Sequence, residues 1–203
     1  YLKDIQINPG RLLSYRMLAK IYEKFGDTRN ALKFLIKSIE ISEDDAELHY
    51  DLASLYAVEG NYQKAIVNFR KAVEIKPDYP EAYYDMGRIF HNFNKFDIAE
   101  QYYLKAIEFK GSYPEPYNSL GNIMLQKKQY DKAEGYYKKA IELKEDYSEA
   151  YYNMGNGYVL RNDLNNALIY FVKALRFKPG YSAAQQMVDK IEKVLNERSS
   201  GKE

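Results

Sequence analysis

Residues 80–113 read PEAYYDMGRIFHNFNKFDIAEQYYLKAIEFKGSY, and the spacing within this stretch decides the fold. Tyr83, Met86, Gly87 and Phe90 recur at intervals of three and four, as do Ala99, Tyr103 and Ala106, so each set lines one stripe of an α-helix. Two helices are predicted in each unit. The same pattern returns with a 34-residue period: Ala99 aligns with Ala31, Ala65, Ala133 and Ala167. Gly87 falls in a small-residue column with Ala19, Ala53, Gly121 and Gly155, and Tyr103 in a bulky one with Leu35, Phe69, Tyr137 and Phe171. From Leu12 to Tyr181 the chain is five copies of the 34-residue unit without insertion.

The predicted repeats are 12–45, 46–79, 80–113, 114–147 and 148–181. All six prolines lie where one unit ends and the next begins, where a missing amide is tolerated. Gly26-Asp27, Gly60-Asn61 and Asn162-Asp163 supply turn and cap chemistry inside the hairpins. Residues 1–11 continue the phase backwards, with Tyr1 in the Leu35 column, Ile7 in the Ile41 column and Pro9 in the Pro77 column. They are expected to be the end of a preceding repeat, a half-repeat or linker, of a longer array or of a protein with another domain upstream, although Asp4 stands where a small residue is due. Beyond Tyr181, the apolar stripe Ala184, Met187, Val188, Ile191, Val194 and Leu195 predicts a capping helix over 182–197, followed by a disordered tail over 198–203.

Composition excludes several functions. Lys plus Arg number 30 and Asp plus Glu 29 in 203 residues, and a net charge of +1 provides no field for nucleic acid. No run of 18 apolar residues exists, so no membrane insertion is expected. The absence of cysteine removes disulfides and thiol chemistry but leaves the compartment unassigned, a soluble cytoplasmic location being favoured. All 22 tyrosines fall into seven columns of the repeat, so the excess of tyrosine reads as architecture.

The string Tyr83-x-x-Met86-Gly87-x-x-Phe90, followed by Ala99-x-x-x-Tyr103 and Ala106, resembles the tetratricopeptide repeat, and the resemblance extends over the whole stretch from Leu12 to Tyr181. It implies an all-α fold, a right-handed α-solenoid of five 34-residue helix-turn-helix repeats with the C-terminal capping helix. Glu43, Gly111 and Glu145 replace the family's terminal proline, and His49 an aromatic. The resemblance further implies a concave groove lined by the first helix of each unit, which receives an extended peptide or a partner's helix.

Counting 100° per residue, the face away from the core carries Tyr50 and Asp51; then Glu81, Tyr84, Asp85, Arg88 and His91; then Asn118 and Asn122; then Tyr152, Asn153 and Asn156. These are the candidate partner-binding residues. The asparagines offer both donor and acceptor to a peptide backbone, or simply keep a wide groove hydrated. Asp51, Glu81 and Asp85 stand where a carboxylate-binding clamp would place cations, so a partner that is charged in the groove's middle is expected to be basic. Gly157 is out of pattern, and marks either a close approach or a loosened last repeat.

No constellation for catalysis, no cofactor and no metal site is read. The carboxylate pairs Glu47–Asp51 and Glu81–Asp85 are expected to be a hydrated face. The predicted function is a non-catalytic protein-interaction module or scaffold. The alternatives are a self-assembling scaffold, a homo-oligomer formed through the open N-terminal edge at Tyr1, Ile5 and Ile7, or the substrate-recruiting arm of a larger enzyme.

Overall fold

A computed structural model describes residues 1–199. They form twelve helices, with no strand among the described residues: α1 (Leu2–Ile7), α2 (Leu12–Lys24), α3 (Thr28–Ile41), α4 (Ala46–Val58), α5 (Tyr62–Ile75), α6 (Pro80–Asn92), α7 (Phe96–Phe109), α8 (Pro114–Gln126), α9 (Tyr130–Leu143), α10 (Ser148–Leu160), α11 (Leu164–Phe177) and α12 (Ser182–Ser199). The helices from α2 to α11 pair into five hairpins, and equivalent helices start one full repeat apart. The chain divides into two compact units, the first running from Tyr1 to Phe109 and the second from Lys110 onwards.

Each hairpin turns through three residues, and the middle one is left-handed every time: Gly26 (φ 74°), Gly60 (φ 76°), Asn94 (φ 56°), Lys128 (φ 57°) and Asn162 (φ 58°). This conformation lets two backbone amides return to the carbonyls of the helix just ended. In the first turn the Asp27 amide donates to the Tyr22 carbonyl and the Gly26 amide to the Glu23 carbonyl, both at 2.9 Å. The third turn residue then opens the second helix. Asp27, Asn61 and Asp163 each accept a hydrogen bond from the backbone amide three residues on. Lys128 is the costly member of the set, since a Cβ in the left-handed region costs about 1–2 kcal/mol.

Packing within a hairpin is ring against missing side chain. A Cβ built on Gly87 would lie 2.5 Å from the Tyr103 ring, one on Gly121 2.4 Å from Tyr137, and one on Gly155 2.8 Å from Phe171. All five alanines of the Ala99 column are fully buried. In the first unit Leu18, Leu35, Leu48 and Leu52 form a shared cluster with Phe34. In the second, Phe171 packs with Val188 and Ile191 of α12. Helix α12 continues through Arg198 and Ser199, two residues expected to be tail; 200–203 lie outside the described residues.

Helix α1 has no buried residue, and Ile7 is almost wholly exposed. Asp4, the anomaly in its column, has a physical explanation. It accepts hydrogen bonds from the hydroxyl of buried Ser14 and, at 2.8 Å, from Arg11. Ser14 itself stands where later units have Leu48, Ala82, Pro116 and Ala150, so two polar replacements compensate one another.

The crossing and the turn can each be tested by one substitution. Gly121→Ala should destabilise the protein by about 1–3 kcal/mol in urea denaturation, because the Tyr137 ring must move. Lys128→Gly should raise stability by about 1 kcal/mol by relieving the left-handed strain, and an unchanged denaturation midpoint would refute that account.

Candidate functional site

The candidate residues lie on the first helices beside the apolar stripes, and much of their surface is already engaged, in good part by the second helix of the same hairpin. On α4, Tyr50 lies 5.5 Å from the Phe69 ring and stacks on Tyr79 at 4.9 Å, while its hydroxyl donates to Asp85 on α6 at 2.8 Å. Burial and the neighbouring Asp85 carboxylate hold the Tyr50 phenol well above its usual range. On α10, Tyr152 repeats the arrangement, 5.4 Å from Phe171 and 5.0 Å from Tyr181. Tyr84 lies 5.6 Å from Tyr103, with the Arg88 guanidinium 5.9 Å from its ring. These tyrosines are therefore half-buried aromatic ledges and not freely exposed side chains.

Asp85 is bound on both oxygens, by Tyr50 and by Arg88 at 3.1 Å. Glu81 is half-buried and also has an interaction partner. His91 packs edge-on against Phe96 and near Tyr103, whose hydroxyl is 3.4 Å from its Nδ1. Burial lowers its pKa, so at neutral pH it is an uncharged part of an aromatic cluster. His49, the only other histidine, is buried between Asn68 Oδ1 at 3.2 Å and the Glu43 carbonyl at 3.0 Å.

Among the asparagines, Asn118 is buried and its carbonyl accepts from Asn153 Nδ2 at 3.0 Å. Asn122 accepts from the Tyr137 hydroxyl at 2.6 Å, which satisfies a phenol otherwise deep in the hairpin. Asn156 is the exception: it is half-buried and makes no side-chain hydrogen bond among the described residues.

Asp51 is the electrostatic outlier. It is half-buried on α4 and makes neither a hydrogen bond nor an ion pair, while Arg16 is committed to Asp45 at 3.2 Å and Glu47 at 2.8 Å. Burial pushes the Asp51 carboxyl up to about 6; Lys20 and Arg16 oppose the rise, and Glu23 and Glu47 add to it. Asp51 and Glu47 in turn help to raise the Tyr79 phenol, after burial as the main cause.

Between α4 and α6 an open cleft of about 690 Å³ is lined by Ser54, Ala57, Val58, Tyr62, Phe69, Asp85, Arg88, Ile89 and Asn92. In the second unit a pocket of about 200 Å³ is bounded in part by the equivalents of four of these residues, Leu125, Tyr130, Tyr137 and Gly157. Gly157 does not serve a close approach: a Cβ there would make ordinary contact with Leu125 at 3.4 Å. Beside it Arg161 lies between Tyr130 and Tyr158, 5.7 and 5.9 Å from the ring centres, and bonds Asp131 and Glu134.

One periodic feature escapes a reading based on apolar columns alone. Lys76, Lys110, Lys144 and Lys178 each stand three residues before a joint tyrosine, and each ammonium sits 4.7–5.0 Å from that ring. Among the described residues no group of three or more His, Asp or Glu could hold a metal, and no helix is long and apolar enough to cross a membrane.

A 34-residue period, hairpins closed by left-handed turns and a small-residue column against rings define a helical-hairpin repeat protein. Sequence profiles described as TPR repeat match residues 56–93 and 121–160, and those described as Tetratricopeptide repeat match 14–45, 80–113 and 148–181. The chain belongs to the tetratricopeptide repeat family. Its fold is similar to that of YrrB, described as a TPR protein with an unusual peptide-binding site (22% identity, 91% of this chain and 95% of that one, TM-score 0.69). It is similar also to MamA 41-end from Desulfovibrio magneticus RS-1 (20%, 84% and 96%, 0.74) and to pilF of Pseudomonas aeruginosa (22%, 93% and 86%, 0.79). No curated protein sequence matches the chain.

The Asp51 environment has a measurable consequence. With a folded pKa of about 6 above the unfolded 3.8, the folded state holds the proton more tightly, so the carboxyl opposes folding fully above pH 6. That penalty fades as the pH falls from 6 towards 4. Asp51→Asn should accordingly raise stability at pH 7.5 by about 1 kcal/mol after allowance for solvent screening, and by nothing near pH 3.5. A gain that is independent of pH would refute the assignment.

Proposed function

We propose that the protein is a protein-interaction scaffold that binds extended peptides on the first-helix faces of its units and carries out no chemistry of its own. The observation that supports this most is the division of labour on those faces. Tyr50, Tyr84 and Tyr152 are held by second-helix rings and so present apolar area with little rotational freedom left to lose. Asn156 and Asp51 keep polar groups without a partner, ready for a ligand's backbone or cation. In this reading the residues that contact a peptide are Asp51, Tyr84, Arg88 and the exposed edge of Tyr50 in the first unit, and Asn153, Asn156 and the exposed edge of Tyr152 in the second. Glu81 and His91 border the face, while Asp85, Asn118 and Asn122 orient their neighbours through the bonds they already make.

The half-buried charge that this face offers in the first unit favours a basic peptide. Arg88 is spent on Asp85 and Arg16 on Asp45 and Glu47; of the neighbouring charges without an ion pair, Lys20 and Glu23 are exposed and Asp51 is half-buried. Because Asp51 takes up a proton near pH 6, a basic peptide should bind more weakly below that pH.

Panning a phage-displayed random peptide library tests the proposal. Wild-type protein should enrich a consistent, basic sequence, and the variant Tyr84→Ala, Asn156→Ala should bind the enriched peptide about tenfold or more weakly at unchanged helicity. Equal binding by the two proteins would defeat the reading, because neither side chain would then touch the peptide.

A further inference from the structure

Four of the positions that line the cleft between α4 and α6, Ala57, Tyr62, Phe69 and Ile89, have their equivalents around the smaller pocket of the second unit, and one of these columns bears on the size. Ala57 on α4 becomes Leu125 on α8, whose larger side chain lines the smaller pocket and lies 3.4 Å from where a Cβ on Gly157 would stand, while Ile89 becomes Gly157. The floor of the cleft in the first unit is apolar: Ala57, the Phe69 ring and Ile89. Val58 in its lining is 78% exposed, and the lining ring of Tyr62 meets Phe93, 54% exposed, edge-on at 5.3 Å. Val58 and Phe93 are apolar groups that the fold leaves in water.

The rim decides what could fill such a space. Asp85 and Arg88 neutralise one another, the second Asp85 oxygen is taken by Tyr50, and the Ser54 hydroxyl donates to the Tyr50 carbonyl at 3.0 Å. A charged side chain entering the cleft would lose its hydration and find no free countercharge. An apolar one would displace water from the floor and from Val58 at no such cost. One helical turn back along α4 from Ser54 stands Asp51, which has no partner and would complement a cation.

We infer that the cleft is a socket for one bulky apolar side chain, of leucine or phenylalanine size, on an extended peptide that carries a lysine or arginine a few residues away for Asp51, and that Ala57 sets the socket's size. The inference rests on the peptide-binding reading above and narrows it to one sequence class. Because Leu125 occupies the same column in a well-packed hairpin, Ala57→Leu closes the socket with a residue that the repeat already tolerates.

The random-peptide library separates the two readings. Peptides enriched on the wild type should share a Leu, Ile, Met or Phe within about three residues of a Lys or Arg, the reach of an extended chain over one helix spacing. Ala57→Leu should bind the enriched peptide about tenfold or more weakly, yet bind its apolar-to-alanine version as the wild type does. Val58→Asp, at a lining residue that is largely exposed, gives a second reading of the same loss in case Ala57→Leu perturbs the fold. Full binding of the enriched peptide by both variants, with loss in Tyr84→Ala, Asn156→Ala, overturns the socket and leaves the peptide-binding face intact. Equal binding by all of these proteins, or no enriched sequence, overturns both.

Discussion

Two helices approach to about 8 Å only where one of them withholds a side chain from the space that the other fills. In the last three hairpins of this chain that condition is met at one crossing, where Gly87, Gly121 or Gly155 faces Tyr103, Tyr137 or Phe171 across a gap too narrow for a methyl group. The rest follows from it. The ring pinned at the crossing becomes the floor against which Tyr84 and Tyr152 lean from the first helix, as Tyr50 leans on Phe69 beside the alanine of its own hairpin. Those tyrosines are held in place because their supports cannot move.

The turn is the second half of the same device. A three-residue connection fixes how far each second helix is offset from the first, and the left-handed middle residue makes that offset the same at Gly26, Gly60, Asn94, Lys128 and Asn162. Repetition of one geometry is what allows a single substitution to be read against its equivalents. Alanine at 57 and leucine at 125 occupy matched positions in the repeat, and the first lines an open cleft of about 690 Å³ while the second lines a pocket of about 200 Å³. Function in such a chain resides in departures from the column, since the columns themselves are consumed by packing.

Charge on the first-helix faces is organised by local pairing and not by net sign. The chain as a whole is nearly neutral, and most of the carboxylates near the candidate site are engaged: Asp45 and Glu47 by Arg16, Asp85 by Tyr50 and Arg88. Asp51 escapes because the cations near it, Lys20 and Arg16, do not come within bonding distance, and burial therefore dominates its titration. A half-buried carboxylate without a partner is unfavourable for the free protein, a cost that a cationic ligand would relieve.

The sequence alone was sufficient for the hairpins, the length of the repeat, the small-residue crossings and the capping helix, because each is written in the spacing of residues along one helix or at one fixed offset of a whole repeat. The paired anomaly of Asp4 and Ser14, the bond from Tyr50 to Asp85 and the burial of Asn118 under Asn153 could not be read in this way. Each joins residues on different helices, and whether two polar groups of neighbouring helices meet depends on their relative rotation and offset, which periodicity does not specify. The lysines at the joints recur with the period of the repeat but lie outside its apolar columns, and only the folded loop brings the ammonium over the ring. So the sequence determined the helices and their apolar stripes, and the tertiary structure decided which of the remaining residues were buried or already satisfied and where a space was left open, because satisfaction and volume are properties of several helices at once.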